Sequence, residues 1–230
     1  MTRYAIYFVP QQDTNLWRFG CAALGYDSCQ RIDVSFHDHE FYGAHVIEEL
    51  TKDPRRYGFH GTLKPPFALA AGTSIGGLEA IAREFAATRK AFRVDRLVVR
   101  AMGNFLALVA EQPSPKLTAL ADNCVEVFEP FRAPLSMADR ERRLRLPLSE
   151  RQMENLDRWG YPYVFDDFRF HMTLTGRLPE TVLTAGLSAL QALYAPIDAP
   201  VTFASICICA QADPDARFVM HRRFDFGEAP

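Results

Sequence analysis

Two short stretches of the chain repeat one alternation of apolar and polar residues. Residues 59–63 read Phe-His-Gly-Thr-Leu and residues 170–174 read Phe-His-Met-Thr-Leu, about half the chain length apart. Successive side chains of a β-strand point to opposite faces of the sheet. Each stretch is therefore predicted to be a strand with an apolar back and a front of one histidine and one threonine. Two such fronts that face each other would form a small polar site.

The pattern around these strands also repeats, and it predicts an α+β fold built by internal duplication. In each half, the His/Thr strand is followed by a helix, a strand and a hairpin, which favours antiparallel pairing. Helical spacing of apolar residues predicts helices over 15–24, 42–51, 74–90, 116–128, 149–159 and 179–194, with Asp53-Pro54 breaking the second helical pattern. Apolar runs predict strands over 3–9, 92–100, 105–111, 201–210 and 218–226, and the second His/Thr strand over 168–178.

These elements are expected to form one bilobal domain over residues 1–230. The first lobe is expected to span roughly residues 1–130 and the second roughly 131–230, with strands that can be exchanged between the lobes. We expect two mainly antiparallel sheets, helices packed outside them and a central groove that holds the site. A chain of 230 residues is long enough to bury a core of this size.

Composition and charge narrow the classes of function. The net charge of −2 argues against a broad surface for nucleic acid, but it leaves room for a local basic pocket that binds a small phosphate. The odd number of cysteines, five, favours neither a disulfide framework nor a zinc cluster. The first residues lack the apolar core of a signal peptide and no apolar run reaches about 18 residues, so we expect a cytoplasmic protein with no membrane partner.

Two further groups of residues leave alternatives open. A basic cluster (Arg140, Arg142, Arg143 and Arg145) lies between prolines in a stretch that we interpret as the connection between the halves. A solvated surface is the favoured interpretation of this cluster, and anion binding at a cleft is the alternative. His37 and His39 resemble a pair of metal ligands, but no further ligand set stands at a useful spacing, so no metal is expected.

The chemistry of the repeated motif points to acid–base catalysis. Histidine exchanges protons near neutral pH without special tuning. Two histidines across a groove can act as base and acid in one reaction, one taking a proton from the attacking oxygen and the other giving one to the leaving oxygen. A threonine hydroxyl on the same face can donate to a phosphoryl oxygen as negative charge develops there. Together these groups suit an in-line displacement at a phosphodiester that needs neither a metal nor a cofactor.

The two motifs, His60-Gly61-Thr62-Leu63 and His171-Met172-Thr173-Leu174, resemble the signature of the 2H phosphoesterase superfamily, and the resemblance in layout covers essentially the whole chain. The sequences around them, over 55–67 and 168–176, look like a bacterial branch associated with phosphonate-metabolism genes. The resemblance implies a duplicated bilobal fold and cleavage of cyclic phosphodiesters, such as 2′,3′-cyclic nucleotides or sugar cyclic phosphates, or the related RNA end ligation. It also implies that His60, Thr62, His171 and Thr173 are catalytic.

Strand parity and, for Tyr57, the position just before the first motif add five candidates for substrate binding. Lys64 is expected on the His60 face, and Arg169 and Thr175 on the His171 face, where each can meet a phosphate or sugar oxygen. Tyr7 is expected on the strand face away from the core, where it can stack on a base or bind phosphate, with buried packing as the alternative, and Tyr57 is expected to line the rim of the groove. The expected partner is a small phosphorylated molecule rather than an RNA end, and the protein is expected to be a monomer. A non-catalytic phosphate-binding module and a metal-dependent hydrolase that uses His37 and His39 are the competing hypotheses.

Overall fold

The computed structural model describes residues 1–145 and 147–227, and the side chains of residues 44–46 lie outside the description. The α-helices within the described residues are α1 (Asn15–Leu24), α2 (Ala44–Arg55), α3 (Ile75–Ala87), α4 (Pro115–Val127), α5 (Met137–Arg143), α6 (Glu150–Trp159) and α7 (Glu180–Tyr194). The strands are β1 (Arg3–Phe8), β2 (Tyr26–Asp27), β3 (Ile32–Asp33), β4 (Gly61–Phe67), β5 (Phe92–Val94), β6 (Leu97–Met102), β7 (Phe105–Ala110), β8 (Met172–Thr173), β9 (Val201–Phe203), β10 (Ser205–Gln211) and β11 (Val219–Asp225). In this part of the chain, no helix is both long enough and apolar enough to cross a bilayer.

Seven of these strands form one antiparallel sheet in the order β11-β10-β1-β4-β8-β7-β6. The hairpin β10–β11 from the second half of the chain pairs with β1, whereas β6–β7 from the first half pairs with β8. The two halves thus exchange their hairpins. The α+β class and the antiparallel pairing are confirmed, and the two expected sheets are joined into one where β4 meets β8.

The junction between β4 and β8 is a single pair of residues, Gly61 and Met172. Both belong to the repeated motif, so the two copies of the motif lie side by side at the centre of the sheet. Phe170 covers Gly61 so closely that a Cβ atom built on Gly61 would lie 2.4 Å from Cε2 of the ring. The first motif therefore has a glycine where the second has the fully buried Met172.

Local signals in the sequence predicted several helix ends well. The Thr14 side chain accepts a hydrogen bond from the backbone of Trp17 at the start of α1, as an N-cap residue does. At the start of α6, Ser149 and Gln152 form a capping box, because each side chain bonds the backbone of the other. These ends are fixed by contacts within four residues, which explains why they can be recognised without the rest of the fold.

The predicted break of helix α2 at Asp53-Pro54 is wrong, since the helix continues to Arg55 with Pro54 inside its last turn. Proline has no N–H to give to the carbonyl four residues earlier, which here belongs to Leu50. That carbonyl instead accepts a hydrogen bond from the backbone N–H of Gly176, at 2.6 Å. The partner comes from the segment after the second motif, so α2 is tied to that motif.

The second His/Thr strand is shorter than the predicted range 168–178, because regular pairing is confined to Met172–Thr173. The backbone N–H of Leu106 donates to the hydroxyl of Thr175 at 3.0 Å rather than to a backbone carbonyl. The backbone N–H groups of Leu174 and Thr175 both donate to the carbonyl of Leu106. A side chain thus replaces the next rung of the ladder, and the regular strand ends there.

Candidate active site

The burial of the motif residues follows the alternation predicted from the sequence. The apolar positions of both copies are buried, with Phe59, Met172 and Leu174 fully so. The histidines and threonines between them (His60, Thr62, His171 and Thr173) are half-buried. The apolar back and the His/Thr front are therefore confirmed. Because β4 and β8 pair at Gly61 and Met172, continuing that antiparallel register by one residue places His60 beside Thr173 and Thr62 beside His171, with Cβ atoms about 5 Å apart.

Both histidines are oriented by the same backbone contact. The Nδ1 atom of His60 lies 2.8 Å from the carbonyl oxygen of Gly58, and Nδ1 of His171 lies 2.8 Å from the carbonyl oxygen of Arg169. A carbonyl oxygen can only accept a hydrogen bond, so Nδ1 carries the proton in both rings. In the neutral imidazole Nε2 is then an acceptor with a free lone pair. Nε2 of His60 lies 3.1 Å from the hydroxyl of Thr62, which can donate to it.

The surroundings of the two histidines keep both rings neutral. Burial is the main cause that lowers the pKa of His60 to about 4, and the nearby His171 lowers it further, while the bond to the Gly58 carbonyl opposes the change. Burial also lowers the pKa of His171, again opposed by its backbone hydrogen bond. Both imidazoles are therefore neutral at pH 7 and can accept a proton, but the lowered pKa makes His60 a weaker base than an ordinary imidazole.

Acidification is expected to destabilise the folded protein through these histidines. The folded-state pKa of His60, about 4, lies below the ordinary value of 6.5. The unfolded chain therefore binds more protons between about pH 6.5 and pH 4, and the free energy of unfolding falls as the pH falls through this range. We expect His60 to account for a loss on the order of 1–2 kcal/mol between pH 7 and pH 4.5.

Urea unfolding at several pH values measures this loss. His60→Asn is the matched variant, since its amide can replace the Nδ1–H donor to the Gly58 carbonyl but does not titrate. The free energy of unfolding of the variant should fall less steeply below pH 6.5 than that of the wild type. Parallel slopes for the two proteins would contradict the lowered pKa of His60.

The motif residues line two adjacent cavities. The first, of about 860 Å³, is lined by His60, Thr62 and Thr173. The second, of about 400 Å³, is lined by His171 and shares Thr62 and Tyr161 with the first. Thr62 thus lies where the two cavities meet, with one histidine on each side.

The two cavities differ in chemical character. Four arginines (Arg3, Arg56, Arg142 and Arg143) line the His60 cavity, against two aspartates (Asp139 and Asp215). The His171 cavity has a mainly aromatic wall, which includes Phe105, Tyr163, Phe165 and Phe168. The first cavity therefore suits an anion, and the second suits a flat or apolar group.

Three of the predicted substrate-binding residues lie at these cavities. Tyr7 is buried and stacks on the ring of His60, with the ring centroids 3.7 Å apart and 20° between the planes. Tyr57 lines the same cavity, 6.4 Å from His60 between centroids, and stacks on Phe218. Arg169 lines the His171 cavity, and its guanidinium donates to the backbone carbonyls of Asp166 and Phe168. Their roles in substrate binding stay predictions.

Lys64 does not lie on the His60 face, and this prediction is corrected. Thr62 pairs with Tyr7, but Lys64 pairs with Ile6, so the register shifts by one residue between them and Lys64 turns to the opposite face. Its side chain is buried, and the ammonium donates to the carbonyl of Val125 and to Glu129, each at 2.8 Å. The ammonium charge of Lys64 is thus paired with a carboxylate within the fold.

Thr175 is also corrected from a substrate-binding residue to a structural one. Its side chain is fully buried. The hydroxyl accepts a hydrogen bond from the N–H of Leu106 and donates one to the carbonyl of Gly176 at 2.9 Å. Its donor and its acceptor are therefore both bonded to the backbone.

Sequence reasoning missed or misjudged other residues around the cavities. Arg142 and Arg143 belong to the cluster that we interpreted mainly as a solvated connection, yet both line the His60 cavity. Tyr161, which both cavities share, carried no recognisable signal in the sequence. His37 and His39 have separate structural contacts, because His37 bonds the carbonyl of Phe19 and His39 caps a short 3₁₀ turn through the N–H of Phe41.

The fold and the site thus define an α+β protein with two oriented imidazoles at the centre of one antiparallel sheet. The model of a family described as "Protein of unknown function (DUF1045)" matches residues 62–219, which is more than half of the chain. The protein belongs to this family.

Curated relatives match nearly the whole chain but carry additional sequence. A protein named "Ribose 1,5-bisphosphate phosphokinase PhnN" from Janthinobacterium sp. (strain Marseille) is 37% identical over 231 residues, which cover 98% of this chain and 51% of the relative. A protein of the same name from Laribacter hongkongensis (strain HLHK9) is 32% identical over 206 residues, covering 87% and 48%. The chain therefore spans about half the length of the curated relatives it matches.

Solved structures resemble the chain distantly over its full length. One is described as "Crystal structure of phosphoesterase", with 12% identity, a TM-score of 0.43 and coverage of 98% of both chains. Another is described as "Crystal structure of E.coli LigT complexed with NADP+", with 11% identity, a TM-score of 0.43 and the same coverage.

Proposed function

We propose that the protein is a metal-independent phosphoesterase that opens a cyclic phosphodiester by general acid–base catalysis with His60 and His171. The observation that carries the proposal is the matched orientation of the two rings. Each Nδ1–H is held by a backbone carbonyl two residues earlier, which leaves two Nε2 atoms available to exchange protons. The repeated motif itself, which resembles that of the 2H phosphoesterases, supports the same reaction.

The reaction needs one base and one acid, and the two histidines supply both. The oxygen of a water attacks phosphorus while one Nε2 takes its proton, and the bond from phosphorus to the leaving ring oxygen breaks. The other histidine, protonated, gives its proton to that oxygen, so a phosphate monoester and a free hydroxyl result. The anionic substrate favours the charged imidazolium, which offsets the lowered pKa values and makes one histidine an acid in the complex. The motif is nearly symmetric, and the two roles reverse with the direction of the reaction.

The threonines complete the proposed site. Thr62 donates to Nε2 of His60 in the absence of substrate, and its hydroxyl can turn towards a phosphoryl oxygen when the cyclic phosphate binds. Thr173 is proposed to donate to the other phosphoryl oxygen from β8. Two hydroxyl donors stabilise the negative charge that develops on the phosphoryl oxygens in the transition state.

The proposed substrates are 2′,3′-cyclic nucleotides or cyclic phosphates of sugars, with a sugar phosphate of phosphonate metabolism as one candidate. The name of the curated relatives refers to a ribose bisphosphate, which supports a phosphorylated sugar. Their kinase name does not transfer to this chain, which contains no glycine-rich P-loop of the form G-x-x-x-x-G-K-[ST]. The aromatic wall of the His171 cavity can accept the part of the substrate attached to the leaving oxygen.

A panel of cyclic phosphates, incubated with the protein in EDTA, tests this proposal. We expect at least one five-membered cyclic phosphate to give a phosphate monoester, with turnover unchanged by the chelator. Activity that requires added zinc or manganese would favour a metal-dependent hydrolase instead. Tight binding of the whole panel without turnover would favour a binding module.

A further inference from the structure

The arginines of the His60 cavity differ in whether their guanidinium groups already have hydrogen-bond or ion-pair partners within the protein. Arg3 donates to the side chain of Gln211, and Arg56 donates to the carbonyl of Pro214. Arg142 forms an ion pair with Asp139 at 2.5 Å, although its side chain is still 55% exposed. The side chain of Arg143 forms no hydrogen bond or ion pair with any residue in the described part of the chain, and its Nε atom is buried without a partner.

The guanidinium of Arg143 is nevertheless held in place. Its central carbon lies 4.7 Å from the centroid of the Tyr161 ring, a cation–π contact that fixes the guanidinium against the wall shared by both cavities. A buried donor without a partner costs about 1–3 kcal/mol, so the guanidinium of Arg143 lies against this wall without an acceptor from the described residues to offset that cost. An oxyanion is the partner that a guanidinium binds best.

The arginines and the motif line the same cavity but come from different elements of the fold. His60, Thr62 and Thr173 belong to the two motifs, whereas Arg142 and Arg143 come from helix α5. A volume of about 860 Å³ lies at the upper end of the range for ligand pockets, about 300–1,000 Å³. One ligand can therefore contact the motif and the arginines at the same time.

We propose that Arg142 and Arg143 form a second anion subsite, which binds a phosphate monoester carried by the cyclic substrate away from the reacting phosphorus. The inference rests on the proposed function and names its substrate class, a phosphorylated cyclic phosphodiester with two phosphate groups. The reacting group is held at the motif, and the second phosphate sets the position of the substrate. The monoester is unchanged by the reaction.

Matched pairs of substrates test this subsite. A nucleoside 2′,3′-cyclic phosphate and a ribose cyclic phosphate are each compared with the same compound phosphorylated on O5. One charge-assisted contact contributes about 1.5–3 kcal/mol, so we expect kcat/KM for a phosphorylated compound to exceed that of its partner by about 10–100-fold. Arg143→Met should reduce this ratio to within about threefold of one, and Arg142→Met should reduce it partly.

Arg140→Met is the matched control on the same helix. Arg140 forms a surface ion pair with Asp157 at 2.9 Å and does not line the cavity, so its loss should leave the ratio unchanged. Thermal unfolding of each variant checks that the fold is intact. If Arg143→Met fails this check, the ratio measured with Arg142→Met is used to test the subsite instead. Equal kcat/KM values within both wild-type pairs, or a ratio that survives in Arg143→Met, would overturn the subsite while leaving the phosphoesterase proposal in place.

Calorimetry separates the subsite from the reaction. The same pairs are titrated into the His171→Asn protein. If the wild type hydrolyses neither compound of a pair, that result refutes the proposed function but not the subsite, and the pairs are then titrated into the wild type as well. A Kd at least about tenfold lower for a phosphorylated compound, lost in Arg143→Met, would support the subsite without turnover. Equal affinities, or no detectable binding of the phosphorylated compounds, would overturn it.

Discussion

Replacing His60 with asparagine is expected to lower kcat for a cyclic phosphate by at least about 100-fold. The amide of asparagine can still donate to the Gly58 carbonyl, so the backbone around the first motif keeps its hydrogen bond. What the variant loses is Nε2, the atom that we propose exchanges a proton with the substrate or water. His171→Asn makes the same test of the second motif, because its Nδ1–H bonds the Arg169 carbonyl in the same way.

Two comparisons make the result specific. The double variant His60→Asn/His171→Asn is expected to lose little more activity than either single variant, since two groups that act in one step are not additive. His221→Asn is the matched control, because His221 pairs with Glu79 on the surface and lines neither motif cavity. A single motif variant that keeps kcat within about threefold of the wild type would contradict the assigned roles.

Gly20→Ala is expected to destabilise the protein by about 1–3 kcal/mol and to reduce activity, although Gly20 lies in helix α1 and carries no chemistry. A Cβ atom on Gly20 would lie 2.0 Å from Cδ1 of Phe59 and within 2.3 Å of two further ring atoms. Phe59 is fully buried and directly precedes His60, so the ring cannot move without shifting the first motif. Urea unfolding and kcat measure the two effects.

Gly76→Ala provides the matched glycine substitution in another helix. Gly76 lies in the first turn of α3, where the nearest atom to an added Cβ is the hydroxyl oxygen of Ser74 at 3.9 Å. The free energy of unfolding should change by less than about 0.5 kcal/mol or rise, since alanine favours helix over glycine. If Gly20→Ala were equally neutral, the packing of Phe59 against α1 would not be what positions the first motif.

The parts of the structure that the sequence predicts best depend on neighbouring residues. Strand parity correctly separated the buried Phe59 and Met172 from the half-buried histidines, because alternation is a property of any strand. Helix starts at Ser74 and Ser149 follow from side chains that bond the backbone three residues later. The duplication can be recognised because both copies of the motif keep Phe, His, Thr and Leu at the same positions.

The wrong predictions concern residues whose orientation and partners are set by contacts with distant parts of the chain. Parity placed Lys64 on the His60 face, but a register shift against β1 turned it towards Glu129. Thr175 bonds Leu106 of the exchanged hairpin, which no pattern near Thr175 indicates. The place of Arg143 in the cavity depends on how α5 packs near Tyr161, and a basic cluster in a sequence does not reveal which of its members remain unpaired.

The most direct test of the two-histidine mechanism is ³¹P NMR of the reaction in H₂¹⁸O with EDTA, with a cyclic phosphate that the protein hydrolyses. The wild type should convert the cyclic signal into that of a monoester with one ¹⁸O on phosphorus, because the oxygen of the attacking water stays there. His60→Asn and His171→Asn should each slow this conversion at least about 100-fold. Ring opening without ¹⁸O on phosphorus, or opening at the wild-type rate in either variant, would contradict the mechanism.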